Sequence, residues 1–222
     1  MTDTSQTAVI YERLRAGILS LDMTPGERLT ERGLETELSA SRTPVRAALT
    51  RLEAEGLMQR DGRGWMVAPI DLAETRDLLE YREIIEAAAI GLAISRATDA
   101  ELASLDLMLE AVDPSGPGEE VLRAGTDFHV EVARLSQNPF LVAAATGSMT
   151  RLARTRWLEV QTEASRAHSR DGHRAIVAAM RQRDALTAER LAVEHIRQTR
   201  EHLLATLEAE RRRLRARGFA VV

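Results

Sequence analysis

The chain has 222 residues, no cysteine, few aromatics and a formal net charge of −4. That length allows one or two domains with a real core, and the lack of cysteine excludes disulfides, thiolate metal sites and thiol nucleophiles. The slight negative charge argues against a protein that coats nucleic acid non-specifically. The sequence has no apolar run of about 18 residues and no basic-then-apolar N-terminus, which argues against a helical membrane span or a secretory signal; a cytoplasmic location is expected.

In chain order, residues 8–21 place Val9, Ile10, Leu14, Ile18 and Leu19 at helical spacing. Thr24-Pro25-Gly26 breaks the chain. Thr30 then reads as the cap of a short helix over 31–38, with Leu34 and Leu38 four apart and acids in its first turn. Ser39-Ala40 supplies a tight turn, and a second helix follows from Ser41. Ser41 and Thr43 are N-cap types, Pro44 is tolerated in a first turn, and Val45, Ala48, Leu49 and Leu52 form one apolar face. Arg42, Arg46 and Arg51 fall away from that face. A DNA recognition helix needs this arrangement: its N-terminal amides donate to phosphates, and arginine pairs bidentately with guanine in the major groove.

By itself the stretch is equally a surface helix with solvated arginines, and its flanks decide the matter. Two short helices joined by a tight turn make a helix-turn-helix. Leu57–Arg60 and Trp65–Ile70, on either side of Asp61-Gly62, predict a β-hairpin with Arg63 between two glycines at its tip. Three helices and a hairpin give a winged-helix layout over residues 1–70. Arg42, Arg46, Arg51, Arg60 and Arg63 crowd its second half, where the acids are Glu53, Glu55 and Asp61.

Arg28-Leu29 with Glu31, Leu34 and Leu38, the run from Ser41 to Arg46 with Ala48-Leu49 and Leu52, Glu55-Gly56-Leu57 and Gly62-Arg63-Gly64 together resemble the DNA-binding domain of GntR-family bacterial transcription regulators over about residues 8–70. The resemblance implies that Arg32, Arg42 and Arg46 contact double-stranded DNA. Ser41 and Thr43 would support phosphate or base contacts, and Arg63 and Gly64 would sit at the wing. Gly33 departs from helix-forming preference, since glycine inside a helix costs about 1 kcal/mol relative to alanine.

From Asp71 onward strand signals vanish. Leu72–Arg96 is one long apolar-periodic helix, Thr98-Asp99 caps a second that runs to Val112, and residues 113–118 form the clearest loop. Further helices are expected over 119–136, from Asn138-Pro139 to about Gln161, over 163–181 and over 184–213. Six helices without strands predict an antiparallel all-α bundle over 71–222, so the fold class is mainly α. Tyr81-Arg82-Glu83 with Glu86, Phe128-His129 followed by Asn138-Pro139, and His173-Arg174-Ala175-Ile176 running on to His195 resemble the FCD effector domain of the FadR subfamily. The six-helix count is similar to the VanR-type branch.

In that family an aspartate and three histidines inside the bundle bind a divalent metal. The resemblance places the histidines at His129, His173 and His195, whose imidazoles suit zinc or nickel. His168 and His202 read as lone surface histidines. The family's aspartate lies one helical turn before the first histidine, where this chain has Gly125. Asp127 is a substitute only through a local distortion, because it stands about 200° around a regular helix from His129.

Arg82 is the candidate anchor for an effector carboxylate, with a salt bridge to Glu86, four residues on, as the alternative. Asn138 is a weaker effector candidate and equally a turn cap. The arginines Arg211, Arg212, Arg213, Arg215 and Arg217 read as a solvated, fraying helix end, with DNA phosphate contact as the alternative.

These readings favour a dimeric, ligand-responsive transcription regulator, a repressor. A small organic acid held by metal and Arg82 would shift the bundle's population and change the spacing of two winged helices on a palindromic operator. A metal-dependent hydrolase using the three histidines is the first alternative, weakened by the lack of a His-Glu-x-x-His helix. A constitutive DNA-binding protein with a purely structural bundle is the second, and Gly125 keeps it open.

Overall fold

The computed structural model describes residues 3–113, 116, 118–156, 158 and 162–222, with backbone only for 3–5, 118 and 119. Part of the loop expected over 113–118, and the helix end expected near Gln161, lie outside the described residues. The contacts divide the chain into two units, residues 1–72 with 209–222 and residues 73–208. The first unit thus gathers in a C-terminal segment that the sequence pattern had grouped with the bundle.

The first unit is built from α1 (Asp3–Leu19), β1 (Arg28–Leu29), α2 (Glu31–Glu37), α3 (Arg42–Ala54), β2 (Met58–Asp61) and β3 (Gly64–Val67). Thr30 caps α2, its hydroxyl accepting from the Gly33 N–H at 3.1 Å. Gly33 therefore sits in the first turn, where it serves the cap, and the cost of an interior glycine does not apply in full. The apolar face of α3 is buried as its spacing predicts: Val45, Ala48, Leu49 and Leu52 pack with Ile10, Leu14, Ile18, Leu34 and Trp65 into one core.

Asp61 pairs with Gly64 across a two-residue loop, and Gly62 adopts φ 57°, the left-handed conformation a tight hairpin needs and glycine supplies without a steric penalty. The sheet order is β1-β3-β2. The third strand, β1, has two residues, too few for an alternation signal in the sequence.

The end of the chain completes this unit. The Ala220 N–H donates to the Pro25 carbonyl, the Ile70 and Val222 N–H groups donate to the Ala220 and Ile70 carbonyls, and Val221 bridges Ile70 in parallel register. Phe219 and Val221 are buried. The Arg215 guanidinium donates twice to the Val221 carbonyl (3.0 and 2.6 Å), and Arg217 stacks on Phe219. Of the basic stretch expected to fray, Arg212 and Arg213 are exposed on the helix, whereas Arg215 and Arg217 are tied to this closure. Gly26 permits it: a Cβ there would stand 2.5 Å from that of Ala220, and its φ of +89° is one that side-chain-bearing residues rarely adopt.

The second unit contains α4 (Leu72–Arg96), α5 (Asp99–Glu110), α6 (Gly118–Leu135), α7 (Pro139–Arg156), α8 (Glu163–Arg181) and the greater part of α9 (Ala185–Ala216). Capping boxes at Thr98 with Glu101 and at Thr162 with Ser165 start α5 and α8. Ile90, Ile94, Leu102, Leu105, Phe128, Val132, Ile176, Val177 and Met180 form its main core. Beside that core α4, α6, α7, α8 and α9 bury a set of polar side chains.

Candidate functional site

Two places carry function-bearing side chains. The first is the outward side of α3, where Ser41, Arg42, Thr43 and Arg46 are exposed at its N-terminal end, joined by exposed Arg32 on α2 and Arg63 at the hairpin tip. Ser41 stands at the N-cap but makes no side-chain cap bond, so its hydroxyl is left for another acceptor or donor. Gly64 is held by the sheet, since a Cβ there would come within 2.9 Å of the Leu29 carbonyl.

Glu31 organises this surface. Its carboxylate accepts from Arg42 Nε at 2.8 Å and Trp65 Nε1 at 3.4 Å, and lies 3.9 Å from both Arg46 Nε and Arg60 Nη1. The hydrogen bond from Arg42 holds the Glu31 carboxyl below its usual pKa, against the opposing effect of burial. Arg60 stacks over the Trp65 ring at 3.6 Å and Arg51 over Tyr11 at 3.6 Å. Arg51 is thereby used in packing, although its sequence position equally allowed an outward role.

The second place is inside the second unit. His129 on α6, His173 on α8 and His195 on α9 are all buried, and each offers one ring nitrogen within 4.8 Å of the other two. Their ring centroids lie 4.6–5.7 Å apart. Gly172 makes the approach of α8 and α9 possible: a Cβ there would fall 2.6 Å from His195 Nδ1. Phe128 packs against His173 at 4.4 Å between centroids.

Glu86 on α4 lies 2.7 Å from His129 Nδ1 and accepts from Arg82 Nε at 2.6 Å. All three side chains are buried. Burial alone would raise the Glu86 pKa, but Arg82 and His129 outweigh it and hold the carboxyl far below its usual range. An ionised carboxylate only accepts, so neutral His129 donates through Nδ1–H and keeps its Nε2 lone pair. His173 Nε2 is buried with no hydrogen-bond partner, although a buried polar atom is nearly always satisfied.

Burial also lowers the pKa of all three imidazoles. His173 falls well below the ordinary value and His195 to about 3, while for His129 the Glu86 carboxylate partly opposes the effect. The rings are therefore neutral at neutral pH, the form that ligates metal. In the unfolded chain histidines titrate near 6.5, so below that pH the unfolded state binds more protons than the native state and stability falls. Each ring contributes up to about 1.4 kcal/mol per pH unit. Denaturant unfolding of the metal-free protein should show stability dropping from about pH 6.5 to 5, above the carboxylate range, with a shallower slope for His195→Gln. A flat profile in that window would contradict buried neutral histidines.

Other expected site residues lie elsewhere. Asp127 is exposed on α6, away from the histidines as the helical period requires, so it is not a fourth member of the cluster. Asn138 accepts from the Phe140 N–H at 3.0 Å and caps α7, the turn-cap role its position equally allowed. His168 and His202 are exposed, His168 pairing with Gln198.

Sequence reasoning missed Arg156. It is buried at the end of α7, its Nη1 donates to Thr126 Oγ1 at 2.8 Å, and its charge lowers the pKa of all three histidines. The glycines Gly125 and Gly172, each inside a helix beside a candidate ligand, were the available signal that something approaches closely there.

The description "Bacterial regulatory proteins, gntR family" matches residues 6–67, and "FCD domain" matches residues 77–198. The chain is 33% identical over 190 residues to the Nta operon transcriptional regulator of Aminobacter aminovorans, covering 84% of this chain and 89% of that protein. It is 25% identical over 197 residues to the HTH-type transcriptional repressor RspR of Escherichia coli, covering 86% of each. Among solved structures it resembles E. coli McbR/YncC in fold, with a TM-score of 0.75 at 22% identity, covering 93% of this chain and 99% of that one.

Proposed function

Because the chain belongs to the GntR family of bacterial transcription regulators and carries an FCD domain, we propose that it is a repressor whose hold on DNA is set by a small organic acid bound in the helical unit. It is a transcription regulator and not an enzyme, which removes the hydrolase alternative. The reading assigns Arg32, Ser41, Arg42, Thr43, Arg46, Arg63 and Gly64 to double-stranded DNA. Two copies of the chain would engage the halves of a palindromic operator about one helical turn apart. A relative at 25% identity bears the name of a repressor, and this supports the sign of the effect. No helix among the described residues is long and apolar enough to cross a membrane, in keeping with a cytoplasmic protein.

One observation carries the sensing role. The helical unit buries three histidines, two arginines and a glutamate around one centre. Buried polar and charged groups cost stability unless they are satisfied, and a bundle needed only for structure gains nothing from them. His129, His173 and His195 fit a divalent metal such as zinc or nickel: three neutral imidazoles converge, Glu86 fixes the tautomer of one, and His173 Nε2 lacks any other partner. Such a metal would supply positive charge for a carboxylate. Arg82 is bonded to Glu86 through Nε, which holds the Glu86–His129 pair and leaves the terminal nitrogens of the guanidinium for the acid's carboxylate.

Footprinting on the DNA flanking the protein's own gene tests this reading. Protection of two half-sites, weakened or strengthened at least tenfold by one of a panel of small carboxylates, is the expected result. Specific protection indifferent to every acid would favour a constitutive DNA-binding protein with a structural bundle.

A further inference from the structure

Three arginines on two elements of the first unit close on one carboxylate. Glu31 opens α2, and its side chain is only 12% exposed. Its Oε2 accepts from Arg42 Nε at 2.8 Å, while Oε1 accepts from Trp65 Nε1 at 3.4 Å and lies 3.9 Å from Arg46 Nε and Arg60 Nη1. Trp65 is fully buried, so its indole N–H fixes the carboxylate from the core side. The arginines themselves are exposed. Each contact joins α2 to another element: to α3 through Arg42 and Arg46, to β2 through Arg60 and to β3 through Trp65.

The charges give this placement a purpose. Arg42 and Arg46 stand four apart on α3, where like charges repel, and the first turn of α3 holds no acid of its own. Without Glu31 the two guanidinium groups would spread toward the nearest phosphates, contacts that carry no sequence information. A carboxylate beside DNA also repels the backbone, and every sequence bears that cost equally. Well-placed guanidinium groups benefit only a sequence that offers acceptors where they stand.

We propose that Glu31 is a specificity-determining residue of the DNA surface. It is a positioning residue that aims Arg42 and Arg46 at base edges, ties the recognition helix to the wing strands and weakens the hold on DNA lacking the matching bases. It acts through the arginines and needs no contact of its own with a base. This rests on the reading that Arg42 and Arg46 contact DNA.

The test measures fluorescence anisotropy of the full-length protein with two labelled duplexes over a range of salt. One is the duplex protected in the footprint, and the other is a scrambled duplex of the same length and composition. Glu31→Gln keeps the shape and one hydrogen-bond acceptor but removes the charge. Affinity for the protected duplex should fall about fivefold and affinity for the scrambled one rise about twofold, so the ratio falls about tenfold. The salt dependence on the protected duplex should steepen by about one released ion as a freed guanidinium moves onto a phosphate. In an Arg42→Ala background the same substitution should lose most of its effect on the ratio. Glu31→Asp keeps the charge but shortens its reach. It should weaken the protected duplex without strengthening the scrambled one, and it keeps the test decisive if Glu31→Gln fails to fold.

A ratio unchanged in Glu31→Gln overturns the proposal, whether both affinities rise together, as lost repulsion alone would make them, or fall together, as a merely structural role would. An undiminished effect in the Arg42→Ala background overturns it too. If Arg42→Ala and Arg46→Ala collapse the ratio and Glu31→Gln does not, the assignment of Glu31 alone fails. If those two variants leave the ratio intact, or the wild type holds both duplexes equally, the reading of α3 as the base-reading helix fails and takes the role of Glu31 with it.

Discussion

Replacing Arg42 or Arg46 with alanine should reduce operator affinity by about five- to 150-fold each, the span that corresponds to roughly 1–3 kcal/mol for a lost bidentate base contact. The geometry explains why so large a share is expected from two exposed side chains. Arg42 donates its Nε to Glu31, which leaves the two terminal nitrogens, the edge that matches guanine, facing outward. Arg46 is placed by the same carboxylate from 3.9 Å. A flexible arginine loses much rotamer freedom on binding, and part of that loss has already been met in the free protein.

The exposed ion pair contributes at most about 1 kcal/mol to stability. The circular dichroism and melting temperature of either variant should therefore match the wild type, while gel shifts on the flanking DNA weaken. Retention of specific binding by both variants would remove α3 from the DNA interface.

Removal of the His173 side chain should have the second large effect. If the three histidines hold zinc or nickel, purified protein will carry close to one equivalent by mass spectrometry, and His173→Ala will lose it. The imidazole contributes a donor with no other partner, so the wild-type site pays no competing hydrogen bond to engage the ion. A metal ligand's partners commonly matter 10- to 100-fold for affinity, so Glu86→Gln should weaken metal binding by about that factor through the tautomer of His129. Wild-type protein that stays metal-free after dialysis against zinc and nickel would refute the assignment.

Much of this architecture could be read from the residues in order. The apolar period of Leu72–Arg96 gives α4, Thr98 gives the start of α5, and the glycines around Arg63 give the hairpin. These signals are local, and short-range physics produces them. The same period also kept Asp127 away from His129. What escaped is non-local or too short. Two residues suffice for β1 because β3 templates it, and nothing near Arg28 announces that. Val221 pairs with Ile70 at the end of the strand run read over Trp65–Ile70, yet nothing in the C-terminal segment announces a strand partner.

The site divides in the same way. Gly125 was visible as a missing carboxylate, but what stands against the gap is Arg156, from a different helix with no sequence motif linking the two. Arg82 and Glu86 stand four apart on one helix and were legible as a pair. Their burial was not, because helical spacing does not distinguish a surface salt bridge from a buried one.

The pairing of Val221 with Ile70 has a consequence for synthesis. The helices and hairpin of the DNA-binding unit leave the ribosome early, whereas the residues that bridge Ile70 and donate to Pro25 follow some 150 positions later. Closing so long a span costs little more than closing a moderate one, because the entropic penalty grows only logarithmically, but it cannot begin until the whole intervening chain has emerged. The part of the molecule made first is thus finished last. A nascent chain arrested within α9 would carry a recognition helix and wing whose sheet end still lacks Phe219 and Val221, and the segment around Pro25 and Ile70 would exchange its amide hydrogens faster there than in the completed protein.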